Sequence, residues 1–138
     1  QTTHLTVAVL DVDYFKQVND AYGHECGDTV LIRIADILKK NCGGCGHIFR
    51  YGGEEFAVIF RHMSAEEVEK LMDKVREAIN ELRFDNMPKE RLGISCGIYE
   101  YMGDDTAVQE IFSRADKALY RTKKLGRNRC VCYSEDEQ

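Results

Sequence analysis

The chain has 138 residues, 43% of them hydrophobic, which is enough to bury a core without disulfides or bound metals. It carries 19 basic and 24 acidic residues, and the net charge of −5 argues against nucleic-acid binding, which depends on dense positive charge. No run is apolar for long enough to cross a membrane, and the first residues lack a signal-peptide pattern. We expect one domain over residues 1–138, located in the cytoplasm and without direct membrane contact.

Strand-like and helix-like segments alternate along the chain without a linker, an internal repeat or a low-complexity stretch. In order, we predict a strand over 5–11, a helical turn over 14–20, a helix over 28–40, a hairpin over 48–61, a helix over 65–82, a strand over 92–101, a helix over 108–124 and a strand over 129–133. Residues 134–138 form an acidic tail that we expect to be frayed. Strands in one layer with helices covering a face predict an α+β fold, that is, an α/β sandwich.

Some of these segments carry specific signals. Residues 5–10, Leu-Thr-Val-Ala-Val-Leu, are nearly continuous in apolar side chains, which is typical of a central strand covered on both faces. The helix over 65–82 is preceded by Ser64, with Glu67 three residues later, and this spacing predicts a capping box. Gly126 follows the last predicted helix and should end it.

The segment over 50–56, Arg-Tyr-Gly-Gly-Glu-Glu-Phe, places a glycine pair between two strand-like runs, which predicts a hairpin turn. Gly52 and Gly53 would let a ligand approach the backbone closely. Side chains alternate along a strand, so Glu54 and Glu55 should point to opposite faces, and only one of them should enter a given site. A bare turn beside a carboxylate suits a metal-bound phosphate, although a hairpin with an acidic, solvated tip would look the same.

A second acidic cluster, Asp11-Val12-Asp13, ends the first predicted strand. Carboxylates two residues apart share one face and repel each other unless a cation lies between them. Mg²⁺ takes oxygen ligands, typically one or two carboxylates together with phosphate oxygens and water. The strand end and the hairpin together have the layout of a two-metal phosphoryl-transfer site, whereas either cluster alone is commonly just an acidic surface.

The six cysteines allow a zinc hypothesis, in which the pair Cys42 and Cys45 combines with the pair Cys130 and Cys132. The second pair has Cys-x-Cys rather than Cys-x-x-Cys spacing, and no other residue supports such a site. Disulfides need an oxidising compartment, and the sequence shows no secretion signal. We therefore favour reduced thiols at all six positions.

Four blocks of the sequence, taken together, resemble the GGDEF domain family. They are Asp-Val-Asp-Tyr-Phe-Lys with the following Asn-Asp, Gly-His and Gly-Asp over 11–28, the Gly-Gly-Glu-Glu-Phe variant of the signature at 52–56, Ser-Cys-Gly-Ile at 95–98, and Ala-Asp-Lys-Ala-Leu-Tyr at 115–120 with Lys123 and Gly-Arg-Asn at 126–128. These blocks follow the family's order and spacing over nearly the whole chain. The resemblance implies a polymerase-palm-like, ferredoxin-related sheet, with the first strand central and next to the signature hairpin.

The same resemblance implies a diguanylate cyclase, which condenses two GTP molecules into cyclic di-GMP and releases two pyrophosphates. Each domain holds one GTP, so the implied catalytic unit is a homodimer. The implied cofactors are Mg²⁺ or Mn²⁺, with two ions at each GTP site.

Site residues carry over to this chain position by position. The implied metal ligands are Asp11, the Val12 carbonyl and Glu54; the implied catalytic residues are Asp11, Glu54 and Glu55; Gly52 and Gly53 lie where the phosphates approach the main chain. Asn19 and Asp28 match the guanine-binding positions, where an amide and a carboxylate can pair with the guanine edge. The implied phosphate-binding side chains are Lys16, Lys123 and Arg127. Without the resemblance, Asp28 would be interpreted as an N-cap and the basic residues as surface charges.

The chain departs from the family pattern at two places. Many members carry Arg-x-x-Asp shortly before the signature as a product-binding inhibitory site, and Gly43 and Gly46 occupy those positions here. The helix and the Leu-Thr-Gly-Leu-type motif that usually precede the first strand do not appear in the sequence. We expect the chain to be part of a larger signalling protein, which could be membrane-tethered, with an upstream sensory domain. The alternative is a catalytically silent GTP-binding or interaction module.

Overall fold

The computed structural model describes residues 4–103 and 107–135. Its elements are β1 Leu5–Val12, α1 Phe15–Tyr22, α2 His24–Cys42, β2 Gly46–Arg50, β3 Glu55–Arg61, α3 Ala65–Asn80, β4 Ile94–Tyr101, α4 Val108–Lys124 and β5 Arg129–Cys132. Of the tail predicted to be frayed, residues 136–138 lie outside the described residues. Within the described ranges, none of the helices combines the length and the hydropathy of a membrane span.

One five-stranded sheet has the order β2-β3-β1-β4-β5. β1 pairs antiparallel with β3 and β4, β2 pairs antiparallel with β3, and β5 pairs parallel with β4. The first strand is therefore central and next to the hairpin of β2 and β3, as the resemblance implied. With helices packed on the sheet, this is the α+β fold that the element order predicts, in the palm-like form that the resemblance implies.

β1 is buried on both faces, which confirms the prediction from its apolar run. Ala8 and Leu10 belong to the core that includes α2 and α3, whereas Val7 and Val9 belong to the core formed with α4. All four residues are at most 1% exposed. Asp11 has the same strand parity as Val7 and Val9, so its carboxylate lies on the α4 side of the sheet.

α2 begins earlier than predicted, at His24 rather than at residue 28. Gly23 forms its N-cap with a φ of 92°, a left-handed conformation that favours glycine. Gly27 and Asp28 consequently lie inside the helix. The N-cap interpretation of Asp28 is wrong, because the chain leaves α1 and enters α2 through this single glycine.

The capping box at the start of α3 is confirmed. The Glu67 N–H donates to Ser64 Oγ at 3.1 Å, and the Ser64 N–H donates to the Glu67 carboxylate at 2.9 Å. The bonds to Ser64 lower the pKa of Glu67. The helix ends at Asn80 rather than at residue 82, and the Asn80 side chain donates to the Leu92 carbonyl at 2.7 Å. This bond ties the end of α3 to the segment that leads into β4.

α4 crosses β4 at Gly97. A methyl group at Gly97 would lie 2.2 Å from the Ala115 carbonyl oxygen and 2.2 Å from the Leu119 nitrogen, so only glycine allows the helix backbone to approach the strand this closely. Further along α4, Thr122 is fully buried, and its hydroxyl donates to the Cys96 carbonyl at 3.0 Å. These contacts fix the last turns of α4 over the sheet.

We expect Gly97→Ala to lower the free energy of unfolding by about 1–3 kcal/mol, the usual cost of overpacking, because α4 would have to move away from β4. Gly44→Ala is the matched control, since a methyl group there meets nothing within 4 Å. Chemical denaturation of both variants and the parent measures the difference. A Gly97→Ala protein as stable as the parent would show that this contact does not seat α4.

Candidate functional site

The Asp11 carboxylate lies near the carboxyl end of β1, and the residue is 7% exposed. Lys123 of α4 donates from Nζ to Asp11 Oδ2 at 2.5 Å. Asp11 Oδ1 is buried and has no hydrogen-bond partner among the described residues. One oxygen of a buried carboxylate is therefore neutralised, and the other is available for a ligand.

Glu54 and Glu55 both lie within the electrostatic reach of Asp11. Glu55 is directly opposite Asp11 in the register of β1 and β3, so the two side chains share a face of the sheet. Burial raises the pKa of both glutamates, the negative charge of Asp11 raises it further, and Lys123 offsets part of the shift. The positive charge of one lysine, Lys123, therefore acts on three carboxylates.

This arrangement differs from the expected separation of the two glutamates. β3 begins at Glu55, and Glu54 lies in the turn before it, where strand alternation does not fix the direction of the side chain. The Glu54 carbonyl accepts from the Val12 N–H at 3.3 Å, which holds the turn against the end of β1. The expectation that only one glutamate reaches the site is wrong, because both carboxylates interact with Asp11.

Side-chain contacts fix the tip of the hairpin. The Arg50 guanidinium donates to the carbonyl oxygens of Gly52 and Gly53, and it lies over the Phe56 ring with 5.6 Å to the centroid. A methyl group at Gly52 would lie 2.4 Å from Glu55 Oε1, so the missing side chain makes room for this carboxylate. A methyl group at Gly53 would meet nothing within 4 Å, which leaves the backbone there open to a ligand.

Tyr51 joins the hairpin tip to α4. Its hydroxyl donates to Asp116 Oδ2 at 3.0 Å, and its ring stacks on Phe112 with 5.9 Å between centroids. Burial raises the pKa of Asp116, whereas the Tyr51 hydrogen bond and the charge of Lys123 lower it. α4 thus supplies both Lys123 and an anchor for the hairpin. The sequence alone does not reveal this role of Tyr51 and Asp116, because their contact depends on how the helix packs against the hairpin.

Asp13 has protein partners of its own. The Ser95 hydroxyl donates to Asp13 Oδ1 at 2.6 Å, and the Asn128 N–H donates to Asp13 Oδ2 at 2.9 Å. Arg127 lies 3.9 Å from Oδ1. Burial raises the pKa of Asp13, which these donors and Arg127 partly offset. The interpretation that Asp11 and Asp13 share a cation is therefore corrected: they share a face, but protein donors occupy both oxygens of Asp13.

A second group of predicted residues lies where α1 meets α2. Asn19 Oδ1 is buried and lacks a hydrogen-bond partner within the described part of the chain. A methyl group at Gly27 would lie 1.9 Å from this oxygen, so the Asn19 side chain keeps this position because residue 27 is glycine. Asp28, the next residue of α2, is exposed. It lines a cleft of about 480 Å³ together with Leu31 and Phe56.

The predicted basic residues lie in different surroundings. Lys123 belongs to the carboxylate cluster, and Arg127 lies beside Asp13 at the same end of β1. Lys16 is exposed, and its ammonium donates to Asp20 on the same helix at 3.1 Å. Only Lys123 therefore contacts another predicted site residue directly within the described structure.

All six cysteines are free thiols. Burial raises the pKa of Cys42 to about 12, and Cys96 and Cys130 are opposite each other in the register of β4 and β5. Across residues 4–103 and 107–135, no group of three or more His, Cys, Asp or Glu side chains is arranged to hold a metal ion. The zinc hypothesis finds no support, and Cys42, Cys96 and Cys130 are core residues.

The donor atoms at the end of β1 nevertheless fit a hard divalent cation. Asp11 Oδ1 is a buried oxygen without a partner in the described residues, and Glu54 lies close enough for the negative charge of Asp11 to raise its pKa. Val12 adds a backbone carbonyl next to Asp11. A magnesium site needs only one or two carboxylates, because substrate and water fill its other positions. A cage of three side chains is not required.

We expect Glu55→Gln to raise the melting temperature of the metal-free protein by a few degrees at neutral pH. The pKa of Glu55 is higher in the folded protein than in the unfolded chain, so the ionised carboxylate reduces stability. This loss of stability is absent at pH values below the pKa of Glu55 in the unfolded chain and complete above its pKa in the folded protein. The gain from Glu55→Gln should therefore shrink as the pH falls from the higher of these two pKa values to the lower.

Thermal unfolding in EDTA across a pH series measures this effect. Glu66→Gln, at an exposed position in the first turn of α3, is the control for removing one acidic side chain. A Glu55→Gln protein that melts lower than the parent at neutral pH would mean that Glu55 makes net favourable contacts in the cluster.

The chain is similar to known proteins in sequence and in fold. The family described as "Diguanylate cyclase, GGDEF domain" matches residues 1–129. Diguanylate cyclase A of Treponema denticola is 39% identical over 127 residues, which are 91% of this chain and 34% of that protein. The chain therefore spans about a third of the length of this curated relative.

Solved structures agree in fold. The active GGEEF domain of a diguanylate cyclase from Vibrio cholerae superposes with a TM-score of 0.89 at 31% identity, covering 96% of this chain and 84% of that one. The GGDEF domain of DgcB from Caulobacter crescentus, solved in complex with c-di-GMP, has a TM-score of 0.87 at 33% identity, covering 94% of this chain and 78% of that one.

Proposed function

The chain belongs to the GGDEF domain family, and we propose that it is the catalytic domain of a diguanylate cyclase. The reaction condenses two GTP molecules into cyclic di-GMP and releases two pyrophosphates. The observation that carries the proposal is the unpartnered Asp11 Oδ1 beside Glu54, where Lys123 is the one cation paired with Asp11 among the described residues. Such a cluster calls for further positive charge, which a metal–nucleotide complex brings.

Asp11, the Val12 carbonyl and Glu54 are the proposed metal ligands, for two Mg²⁺ or Mn²⁺ ions per GTP. Diguanylate cyclases in general depend on divalent metals. A metal bound there acidifies the attacking 3′-hydroxyl and neutralises the triphosphate. The protein contributes rigid ligand positions: the strand pairing of β1 fixes Asp11, and the Val12 N–H holds the backbone at Glu54.

Lys123, Arg127 and Lys16 are the proposed phosphate-binding side chains. Lys123 is paired with Asp11 Oδ2, and an incoming triphosphate offers it other anionic oxygens, which frees Asp11 for the metal. Arg127 lies beside the same end of β1 and presents a planar donor group suited to phosphate. Lys16 can leave Asp20 easily, because an exposed ion pair of this kind contributes only about 0–1 kcal/mol.

Asn19 and Asp28 are the proposed guanine-binding residues. The buried Asn19 Oδ1, without a partner in the described structure, is an acceptor suited to a guanine N–H. The exposed Asp28 carboxylate lines the cleft formed with Leu31 and Phe56 and can accept from guanine N1–H and the exocyclic amine. An adenine edge offers no N1–H, so the pair favours GTP.

Glu55 is the proposed proton acceptor for the attacking 3′-hydroxyl, since burial and Asp11 raise its pKa toward the range of a general base. Each domain binds one GTP, so two domains must face each other, and the proposed catalytic unit is a homodimer. In the full-length protein, an upstream sensory domain would control this pairing. A cytoplasmic location, where GTP is available, fits the same proposal.

A turnover assay with GTP and Mg²⁺, with cyclic di-GMP identified by mass, tests the proposal. The chain is assayed alone and fused to a dimerising coiled coil, and we expect faster turnover from the fusion because it raises the effective concentration of facing sites. In the fusion, Glu54→Gln should abolish turnover and weaken Mg²⁺-dependent GTP binding without changing the melting curve by more than a few degrees.

Glu66→Gln, exposed on α3, is the matched control and should keep full activity. Tight GTP binding without product from either form would favour a silent GTP-binding module instead. Normal turnover by Glu54→Gln would remove Glu54 from the metal site while leaving the family assignment intact.

We further expect cyclic di-GMP at micromolar levels to leave the initial rate unchanged. Gly43 and Gly46 stand where many family members carry the Arg and Asp that bind the product, and neither glycine has a side chain to bind a base or a phosphate. Initial rates at several product concentrations measure this. A clear fall in rate would reveal another product site on the domain.

A further inference from the structure

Tyr14 combines two features that are unusual for an aromatic residue. Its backbone is left-handed, with φ 57° and ψ 31°, at the N-cap of α1, and the residue is 59% exposed. A bulky residue in this conformation is normally held there by its surroundings. The N-cap role does not explain the choice of tyrosine, because the side chain makes no capping hydrogen bond. The presence of an aromatic ring at this position therefore has a cause other than helix capping.

The ring lies under the guanidinium of Arg127. The Arg127 Cζ atom is 4.9 Å from the ring centroid, which is a cation–π contact. Arg127 is itself left-handed, with a φ of 66°. Both residues border Asp13: Tyr14 follows it in the chain, and the N–H of Asn128, which follows Arg127, donates to Asp13 Oδ2 at 2.9 Å. Two strained segments thus meet at one buried carboxylate.

The contact orients the cation and, among the residues that the structure describes, leaves the N–H donors of Arg127 free of hydrogen bonds. A carboxylate at hydrogen-bond distance would occupy the N–H groups of Arg127, whereas an aromatic face holds the guanidinium through its positive charge alone. The nearest carboxylate oxygen among the described contacts, Asp13 Oδ1, is 3.9 Å from Nη1, beyond hydrogen-bond range. The planar fork remains available for a phosphate.

We infer that Tyr14 is a positioning residue, whose ring holds the Arg127 guanidinium ready for the phosphates of GTP. This inference rests on the proposed function, which assigns Arg127 to the phosphates. Tyr14 itself need not touch the nucleotide. Its effect is to reduce the number of side-chain conformations that Arg127 must give up when GTP binds.

Calorimetric binding of 3′-deoxy-GTP with Mg²⁺ tests this role, because the ligand lacks the attacking hydroxyl and cannot react. Tyr14→Leu keeps a side chain with the same backbone restriction but removes the ring, and we expect affinity to fall about two- to fivefold, the range of an exposed cation–π contact. Tyr14→Phe and Tyr14→Trp keep a ring and should bind within twofold of the parent. Binding of 3′-deoxyguanosine, which has no phosphates, should be equal in all of them.

A double-mutant cycle separates this role from a structural one. In an Arg127→Ala background, Tyr14→Leu should cause no further loss, because the ring acts only through Arg127. An additive loss, an equal loss for 3′-deoxyguanosine, or a Tyr14→Trp protein as weak as Tyr14→Leu would overturn the inference. If Tyr14→Leu does not fold, Tyr14→Asn, a residue type that tolerates the left-handed conformation, replaces it as the variant without a ring, with the same expected loss and the same cycle with Arg127→Ala.

Failure of the proposed function gives a different result. A parent protein that binds no 3′-deoxy-GTP contradicts the nucleotide assignment, and the role of Tyr14 falls with it. A parent that binds 3′-deoxy-GTP, together with a folded Tyr14→Leu protein of equal affinity, contradicts the role of Tyr14 alone.

Discussion

The ion pair between Asp11 and Lys123 is the interaction on which the arrangement of the site depends. A carboxylate at the end of a buried central strand is unfavourable unless a positive charge lies close to it. Lys123 supplies that charge at 2.5 Å, and it does so from a helix rather than from the sheet. The pair therefore links β1 to α4. Because it satisfies only one oxygen of Asp11, the cluster with Glu54 and Glu55 keeps an excess of negative charge for a ligand to balance.

Two carboxylates that are neighbours in sequence have different tasks here. Asp11 keeps an oxygen without a protein partner among the described residues, whereas Asp13 accepts from Ser95 and from the Asn128 N–H. The second set of bonds holds a loop in which Gly126, Arg127 and Asn128 all have positive φ values. Non-glycine residues persist in this conformation when other contacts determine it. Asp13 thus acts as a structural anchor for the chain that leaves α4, whereas Asp11 is the member of the pair with the proposed role in metal binding.

Features with a local cause could be predicted from the sequence, and features that depend on packing could not. The apolar run of β1, the glycine pair of the hairpin and the Ser64 capping box each depend on neighbouring residues, and each is confirmed. The resemblance to the family assigns the metal-ligand positions to Asp11 and Glu54. The periodicity of the sequence alone could not distinguish these two residues from their acidic neighbours. The start of α2 was misplaced because Asp28 is a favourable N-cap type, and the pairing of Asp11 with Lys123 spans the whole fold. No sequence rule places a tyrosine in the left-handed conformation that Tyr14 adopts.

The seating of α4 on Gly97 has a consequence for control of the domain. The backbone of α4 lies so close to β4 that a methyl group on Gly97 would be 2.2 Å from helix backbone atoms. At this distance the helix has no room to slide along the strand. Lys123 and the Asp116 anchor of the hairpin therefore move with the sheet as a single rigid part. Small shifts of α4 relative to the sheet are therefore a poor way to change the rate of the reaction at this site. In the proposed two-domain reaction, regulation would act mainly on how often and in which orientation two preformed half-sites meet.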